Sequence, residues 1–68
     1  MDDVYVAVLE KDCEPHYFRN SKNAMNYLID NNDKLNCKLD PSNDNTCGEL
    51  WDENGISIGY FYKISIED

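Results

Sequence analysis

Residues 56–66 read Ile-Ser-Ile-Gly-Tyr-Phe-Tyr-Lys-Ile-Ser-Ile, an unbroken alternation over eleven positions. A period of two predicts a β-strand with the isoleucines and tyrosines on one face and Phe61 on the other. Asn54 and Gly55 stand immediately before this segment, and residues 49–53 precede them. Asn-Gly is the pair that best fits a two-residue type I′ turn, so the sequence predicts a hairpin. We expect one face of its last strand to be core and the other to be solvent-facing or interfacial.

The rest of the chain supplies partners for this hairpin. Residues 4–11 are apolar on both faces, which predicts a strand in the middle of a sheet. Short strands are considered at residues 16–19 and 36–39. A helix is predicted from Lys22 to Asn31 and Asn32, because its apolar residues recur at helical spacing and a left-handed asparagine suits its end. The expected fold is one α+β domain over residues 1–68, with a three- or four-stranded, mainly antiparallel sheet and one helix on one face.

Composition limits the classes of function. Fourteen acidic and six basic residues give a net charge of −8, which disfavours direct contact with nucleic-acid phosphates and favours a basic partner. The apolar share of 41% predicts a folded chain rather than a disordered one. No apolar run approaches the roughly 18 residues of a membrane span, so no membrane association is expected.

Cys13, Cys37 and Cys47 form an odd set, and the first residues are acidic where a secretory signal would be basic. We therefore expect reduced thiols and a cytoplasmic location, with a disulfide between Cys37 and Cys47 as the alternative. Cys13 and His16 lack the orienting group of a catalytic pair, and no enzyme activity is expected. The three cysteines and the histidine could form a Cys₃His zinc module, but their spacing is unusual, and we expect no metal and no cofactor.

Acidic residues cluster in four places: at the termini with Asp2, Asp3, Glu67 and Asp68, and in the sets Glu10-Asp12-Glu14, Asp40-Asp44 and Glu49-Asp52-Glu53. If the first and last strands are neighbours, the second set and the hairpin tip would lie close together. Carboxylates spaced on a rigid sheet imitate the phosphates of DNA. The predicted partner-binding residues are Glu10, Asp12, Glu14, Asp40, Asp44, Glu49, Asp52 and Glu53.

The aromatic residues suggest a second kind of surface. Alternation places Phe61 beyond the main core, on the face opposite Tyr60 and Tyr62. Trp51 and Phe61 are therefore candidates for a dimer or partner interface, where aromatic side chains are enriched, and the alternative is that both faces of the strand are core. We expect a homodimer.

The chain as a whole resembles the small acidic proteins with which bacteriophages disable host enzymes or defences. The resemblance lies in the opening run at residues 4–8, the helix residues 24–29, the tyrosine-rich strand at residues 60–64, and the Asn-, Asp-, Lys- and Ile-rich usage of an AT-rich genome. Within that class, DNA-mimicking inhibitors of uracil-DNA glycosylase or of HU-type nucleoid proteins are short, acidic, sheet-based and often dimeric. The resemblance implies an inhibitor in the host cytoplasm that occupies the DNA-binding surface of a basic host protein. The alternative is an interaction module that binds through an exposed strand and aromatics, without DNA mimicry.

Overall fold

The computed structural model describes residues 3–66, which form one helix and a five-stranded sheet. In chain order the elements are β1 (Asp3–Leu9), β2 (Pro15–Phe18), α1 (Ser21–Asn31), β3 (Lys38–Pro41), β4 (Cys47–Trp51) and β5 (Ser57–Ser65). The predicted α+β fold is confirmed. Both short strands considered from the sequence form, as β2 and β3, so the sheet has one strand more than the upper prediction.

The strands follow the order β2-β1-β5-β4-β3, and every neighbouring pair is antiparallel. β1 and β5 form the longest ladder, from Asp3 opposite Ser65 to Leu9 opposite Gly59. β1 is therefore an interior strand, as its apolar residues on both faces predict. The edges of the sheet are the four-residue strands β2 and β3.

Helix α1 packs on one face of the sheet through Ala24 and Leu28, which are buried. It begins after Asn20, whose side-chain oxygen accepts a hydrogen bond from the Asn23 amide at 2.9 Å, as in an N-cap. The predicted left-handed end is wrong, because the backbone of Asn32 is extended. Its side-chain nitrogen instead donates to the Leu28 and Ile29 carbonyls, each at 2.8 Å, and satisfies them. Within residues 3–66 no helix is long and apolar enough to cross a membrane.

The core lies between α1 and the sheet, and Phe61 is one of its largest members, with 1% of its surface exposed. This corrects two sequence expectations. Phe61 belongs to the main core, and it is not available to a dimer or a partner. The reason is close packing, because Phe61 lies opposite Ala7 and Gly48, and a Cβ at Gly48 would come within 2.7 Å of the Phe61 ring. Tyr60, Tyr62 and Ile64 of β5 consequently face away from the helix, whereas Ile58, near the start of the strand, still packs against the core.

The β4–β5 hairpin forms where the sequence predicts it, but its turn is not type I′. A type I′ turn needs positive φ at both central residues, and here Gly55 alone has it, at 77°. The Gly55 amide donates to the Asp52 carbonyl at 3.0 Å, and the Asp52 amide donates to the Ile56 carbonyl at 2.9 Å. These bonds enclose a three-residue loop in which Gly55 takes the left-handed position after the turn.

Candidate partner-binding surfaces

Five of the predicted acidic residues lie in two turns at one end of the sheet, and we call this set the acidic end. Glu10, Asp12 and Glu14 belong to the β1–β2 turn, and Asp52 and Glu53 belong to the β4–β5 turn. Because β1 and β5 are antiparallel neighbours, the end of one lies beside the start of the other. The Glu10 amide donates to the Ile58 carbonyl at 2.9 Å, and Glu10 and Asp52 line one cleft. The predicted closeness of these two turns is therefore present.

Hydrogen bonds hold three of the five carboxylates of the acidic end, those of Asp12, Asp52 and Glu53. Asp52 Oδ1 accepts from the amides of Asn54 and Ile56, both at 2.9 Å, and so fixes its own turn. Asp12 Oδ1 accepts from the Glu14 amide at 3.1 Å. Glu53 Oε2 accepts from the Asn36 side chain at 3.0 Å. Side chains fixed in this way lose less rotational freedom when a partner binds.

Few cations of this chain compensate these charges. Among residues 3–66 the one ion pair within 4.0 Å joins Lys63 to Asp3 at 3.8 Å, away from the acidic end. Lys11 and Lys34 line the same cleft as Glu10 and Asp52 and reduce the local negative charge. Lys11 directs its ammonium to the Asn31 carbonyl rather than to a carboxylate. The acidic end is therefore still negative, with five carboxylates beside two lysines.

The other three predicted acidic residues lie elsewhere. Asp44 is in the β3–β4 loop at the opposite end of the sheet, where Ser42 and Thr46 donate hydrogen bonds to its Oδ1 at 2.8 and 2.7 Å. These bonds, that from Thr46 above all, lower the pKa of Asp44 below its ordinary value. Asp40 and Glu49 face each other across β3 and β4. Of the terminal cluster, Asp2, Glu67 and Asp68 are outside the described residues.

The side of the sheet away from α1 carries a second surface, which we call the open face. Strand alternation and register place the following residues on it: Val4, Val6, Val8, Tyr17, Cys47, Glu49, Trp51, Tyr60, Tyr62 and Ile64. Within residues 3–66 no helix or strand lies over this side. Tyr17 is 64% exposed, Tyr60 46% and Tyr62 40%, and the Tyr60 and Tyr62 rings stack with centroids 6.1 Å apart.

The middle of the open face is shielded by its own tyrosines. Val6 is 1% exposed although it faces away from the helix. It lies between Tyr17 on β2 and Tyr62 on β5, its direct cross-strand neighbours. Of the two predicted interface residues, Trp51 is partly buried on the open-face side, whereas Phe61 is in the core. Sequence reasoning missed Tyr17 and Tyr62, because it placed the tyrosine row of β5 in the core.

The histidine belongs to a group that sequence reasoning also missed. Asp12, Glu14 and His16 bring one possible ligand atom each to within 4.8 Å of one another. The His16 ring packs on the Tyr27 ring of α1, with centroids 4.4 Å apart. Burial raises the pKa of the Tyr27 hydroxyl, and the negative charges of Asp12 and Glu14 raise it further. The sequence carried no direct signal for this group, because the chain turns at Asp12 and Cys13 and is not extended there.

The three cysteines are separate free thiols. Cys13 lies in the β1–β2 turn, Cys37 in the segment before β3, and Cys47 on the open face. The predicted alternative of a disulfide between Cys37 and Cys47 is therefore not formed. In the described part of the chain, the Cys₃His combination is not among the groups that could hold a metal ion.

Comparison with known proteins gives no match, since no family model, no curated protein and no solved structure is significantly similar to this chain.

Proposed function

We propose that this protein binds a basic protein and covers the surface with which that protein contacts DNA. The observation that carries the proposal is the acidic end, where two neighbouring turns present five carboxylates on a hydrogen-bonded scaffold. The partner class is a DNA-binding protein of a host bacterium, such as an HU-type nucleoid protein or a DNA repair enzyme. The protein then acts as a phage-type inhibitor in the host cytoplasm.

Electrostatics supports this assignment. A groove that binds DNA carries lysines and arginines placed to meet phosphates, and it attracts any rigid array of negative charges of similar spacing. With a net charge of −8 the chain is repelled by DNA and attracted by such a groove. The Debye length falls from about 10 Å at 0.1 M salt to about 3 Å at 1 M. Binding through the acidic end should therefore weaken steeply as salt rises.

The test is affinity capture from a bacterial lysate with the tagged protein, eluted by a stepwise rise in salt. We expect a basic DNA-binding protein to be released at moderate salt and to be displaced by added duplex DNA. A test variant carries Glu10→Gln, Glu14→Gln and Glu53→Gln in the acidic end. A matched control carries Asp3→Asn, Asp40→Asn and Asp44→Asn, which remove the same charge outside the acidic end.

The captured partner should bind the test variant at least about tenfold more weakly than the control, a difference of about 1.4 kcal/mol. Equal losses in both variants would show that net charge, and not the acidic end, determines binding. If salt and duplex DNA release nothing from the wild-type protein, the proposal is wrong.

We also propose that a second copy of the chain covers the open face. The centre of this face is apolar and can meet its own symmetry mate, while the acidic ends of both copies stay exposed. The two longer extents of the molecule, 41 and 25 Å, give a face comparable with the roughly 800 Å² per partner of a stable interface. Sedimentation should then show a dimer, and Tyr62→Asp should convert it to a folded monomer. A wild-type monomer at all accessible concentrations would contradict this assembly.

The open face also favours a second candidate function, an interaction module that binds through its aromatics without DNA mimicry. Tyrosines are enriched at protein interfaces, and Tyr17, Tyr60 and Tyr62 are exposed together. This candidate predicts a monomer whose partner binding survives high salt and the three acidic-end substitutions, and is lost in Tyr62→Asp. The dimeric inhibitor predicts that partner binding is lost at high salt and in the variant with the three acidic-end substitutions.

A further inference from the structure

The β1–β2 turn brings two carboxylates and the single imidazole of the chain together. The ligand atoms of Asp12, Glu14 and His16 lie within 4.8 Å of one another. Ligand atoms bound tetrahedrally at about 2.0–2.1 Å from a zinc ion are roughly 3.3 Å apart. Asp12 and Glu14 are exposed, so small rotations of their side chains would close the remaining gap.

The backbone of the turn prepares this arrangement. Cys13, between the two carboxylates, has φ at 56°, a left-handed conformation that is uncommon for residues other than glycine. Its amide donates to the Leu9 carbonyl at 2.9 Å, and Asp12 Oδ1 accepts from the Glu14 amide at 3.1 Å. The turn thus folds Asp12 back towards Glu14, and β2 continues the chain to His16 two residues later.

The imidazole supplies an independent observation. His16 Nε2 is a buried atom without a hydrogen-bond partner, and leaving a buried polar group unsatisfied is unfavourable. The Tyr27 ring packs on the His16 imidazole with centroids 4.4 Å apart, and Phe18 packs in turn on Tyr27 at 5.6 Å, so one face of the imidazole is held in place. Within residues 3–66 no lysine or arginine forms an ion pair with Asp12 or Glu14. The group therefore has negative charge and an unpaired nitrogen donor.

We propose that Asp12, Glu14 and His16 bind a divalent transition-metal ion, and that zinc is the ion that fits them best. Imidazole nitrogen suits zinc, copper and nickel, whereas magnesium and calcium prefer sites made of oxygen alone. Three protein ligands leave a fourth position of a tetrahedral zinc ion for water or for a side chain of a bound molecule. Tyr27 is a positioning residue, because it contacts the His16 ring. The inference does not rest on the proposed DNA-binding partner.

The test is calorimetric titration of the full, reduced protein with zinc chloride. We expect one saturable site, and His16→Gln should weaken it by about tenfold or more. Two control variants should bind as the wild type does: Asp44→Asn, at the other end of the sheet, and Cys13→Ser, which removes the nearest thiol. A wild type that does not bind zinc, a His16→Gln variant that binds equally well, or loss of the site in Cys13→Ser would overturn the proposal.

Two further measurements on the wild type avoid any dependence on variants that fail to fold. Cobalt(II) in place of zinc should give d–d absorption without the intense thiolate charge-transfer band that cysteine ligation produces. The nitrogen resonances of the His16 imidazole should shift on addition of one equivalent of zinc. A thiolate band or unshifted imidazole resonances would each contradict the assigned ligands.

Discussion

The two faces of the sheet both carry apolar side chains, but those on the helix side are buried and many of those on the open face are exposed. On the helix side, Phe61, Leu28 and Leu50 are buried to 1% exposure or less. On the open face, Tyr60, Tyr62 and Ile64 keep 40% or more of their surface exposed. The helix side holds the main core, whereas the open-face tyrosines cover Val6 and still leave much of their own surface exposed. Exposed apolar side chains grouped in this way are the reason for proposing that the open face contacts another molecule.

The largest expected effect tests this difference in stability. Phe61→Ala should lower the free energy of unfolding by about 3–5 kcal/mol, because it leaves a cavity between the helix and the sheet. Tyr62→Ala should cost less, about 1–2 kcal/mol in the monomer, because 40% of that side chain is already exposed while the rest covers Val6. Urea denaturation at several protein concentrations measures both and separates folding from dimerisation. Equal losses for the two variants would mean that the open face belongs to the core.

A substitution of intermediate effect tests the close contact between Gly48 and the Phe61 ring. In Gly48→Ala the new Cβ would meet the Phe61 ring at 2.7 Å and the Pro41 Cα at 2.8 Å, and we expect a loss of about 1–3 kcal/mol. Gly55→Ala meets no atom within 4 Å, so its cost of about 1–2 kcal/mol comes from the left-handed backbone alone.

The same denaturation assay distinguishes the two causes. Gly55→Asn should recover most of the loss, because asparagine tolerates positive φ. Gly48→Asn should be at least as harmful as Gly48→Ala, because its side chain adds atoms where there is no room. A Gly48→Ala variant as stable as the wild type would show that Phe61 does not depend on this contact.

The smallest effect concerns Asp44, whose hydrogen bonds serve its own loop. Because its folded-state pKa is lowered, it contributes stability above its unfolded pKa, and this contribution is lost as the pH falls below about 4. In Asp44→Asn this titration is absent, so the stability difference between the wild type and the variant should shrink on acidification. Thermal unfolding between neutral pH and pH 3 measures it. A difference that grows in acid would contradict the assigned sign.

Much of the fold could be predicted from local patterns. The two-sided apolar character of β1 predicts an interior strand, and the period of residues 56–66 predicts β5. The side of β5 that faces the helix could not be predicted, because both rows of that strand carry aromatic residues. It depends on small residues that are distant in sequence, Ala7 and Gly48, which leave space for Phe61. The type of turn at Gly55 was missed because the Asp52 carboxylate, rather than the Asn-Gly pair alone, fixes that loop.

The candidate surfaces were predictable to different degrees. The turns of Glu10 and Asp52 meet because the first strand pairs with the last one. This pairing could be expected, because both strands carry the strongest apolar patterns of the sequence. Asp44 lies at the other end of the sheet because the β3–β4 loop is there. This could be predicted only if the position of β3 was known. The union of His16 with Asp12 and Glu14 depends on the left-handed residue Cys13, and no sequence rule assigns that conformation to a cysteine.

The narrow borders of the sheet have a consequence for self-association. A sheet with an uncovered apolar face is at risk of growing into fibrils when its outer strands can recruit further chains. Here both outer strands have only four residues, and β3 adds the charge of Lys38 and the missing amide hydrogen of Pro41. Growth by strand pairing at the sheet edges is thereby discouraged. The exposed apolar surface of the open face can then associate with another molecule without extending into fibrils.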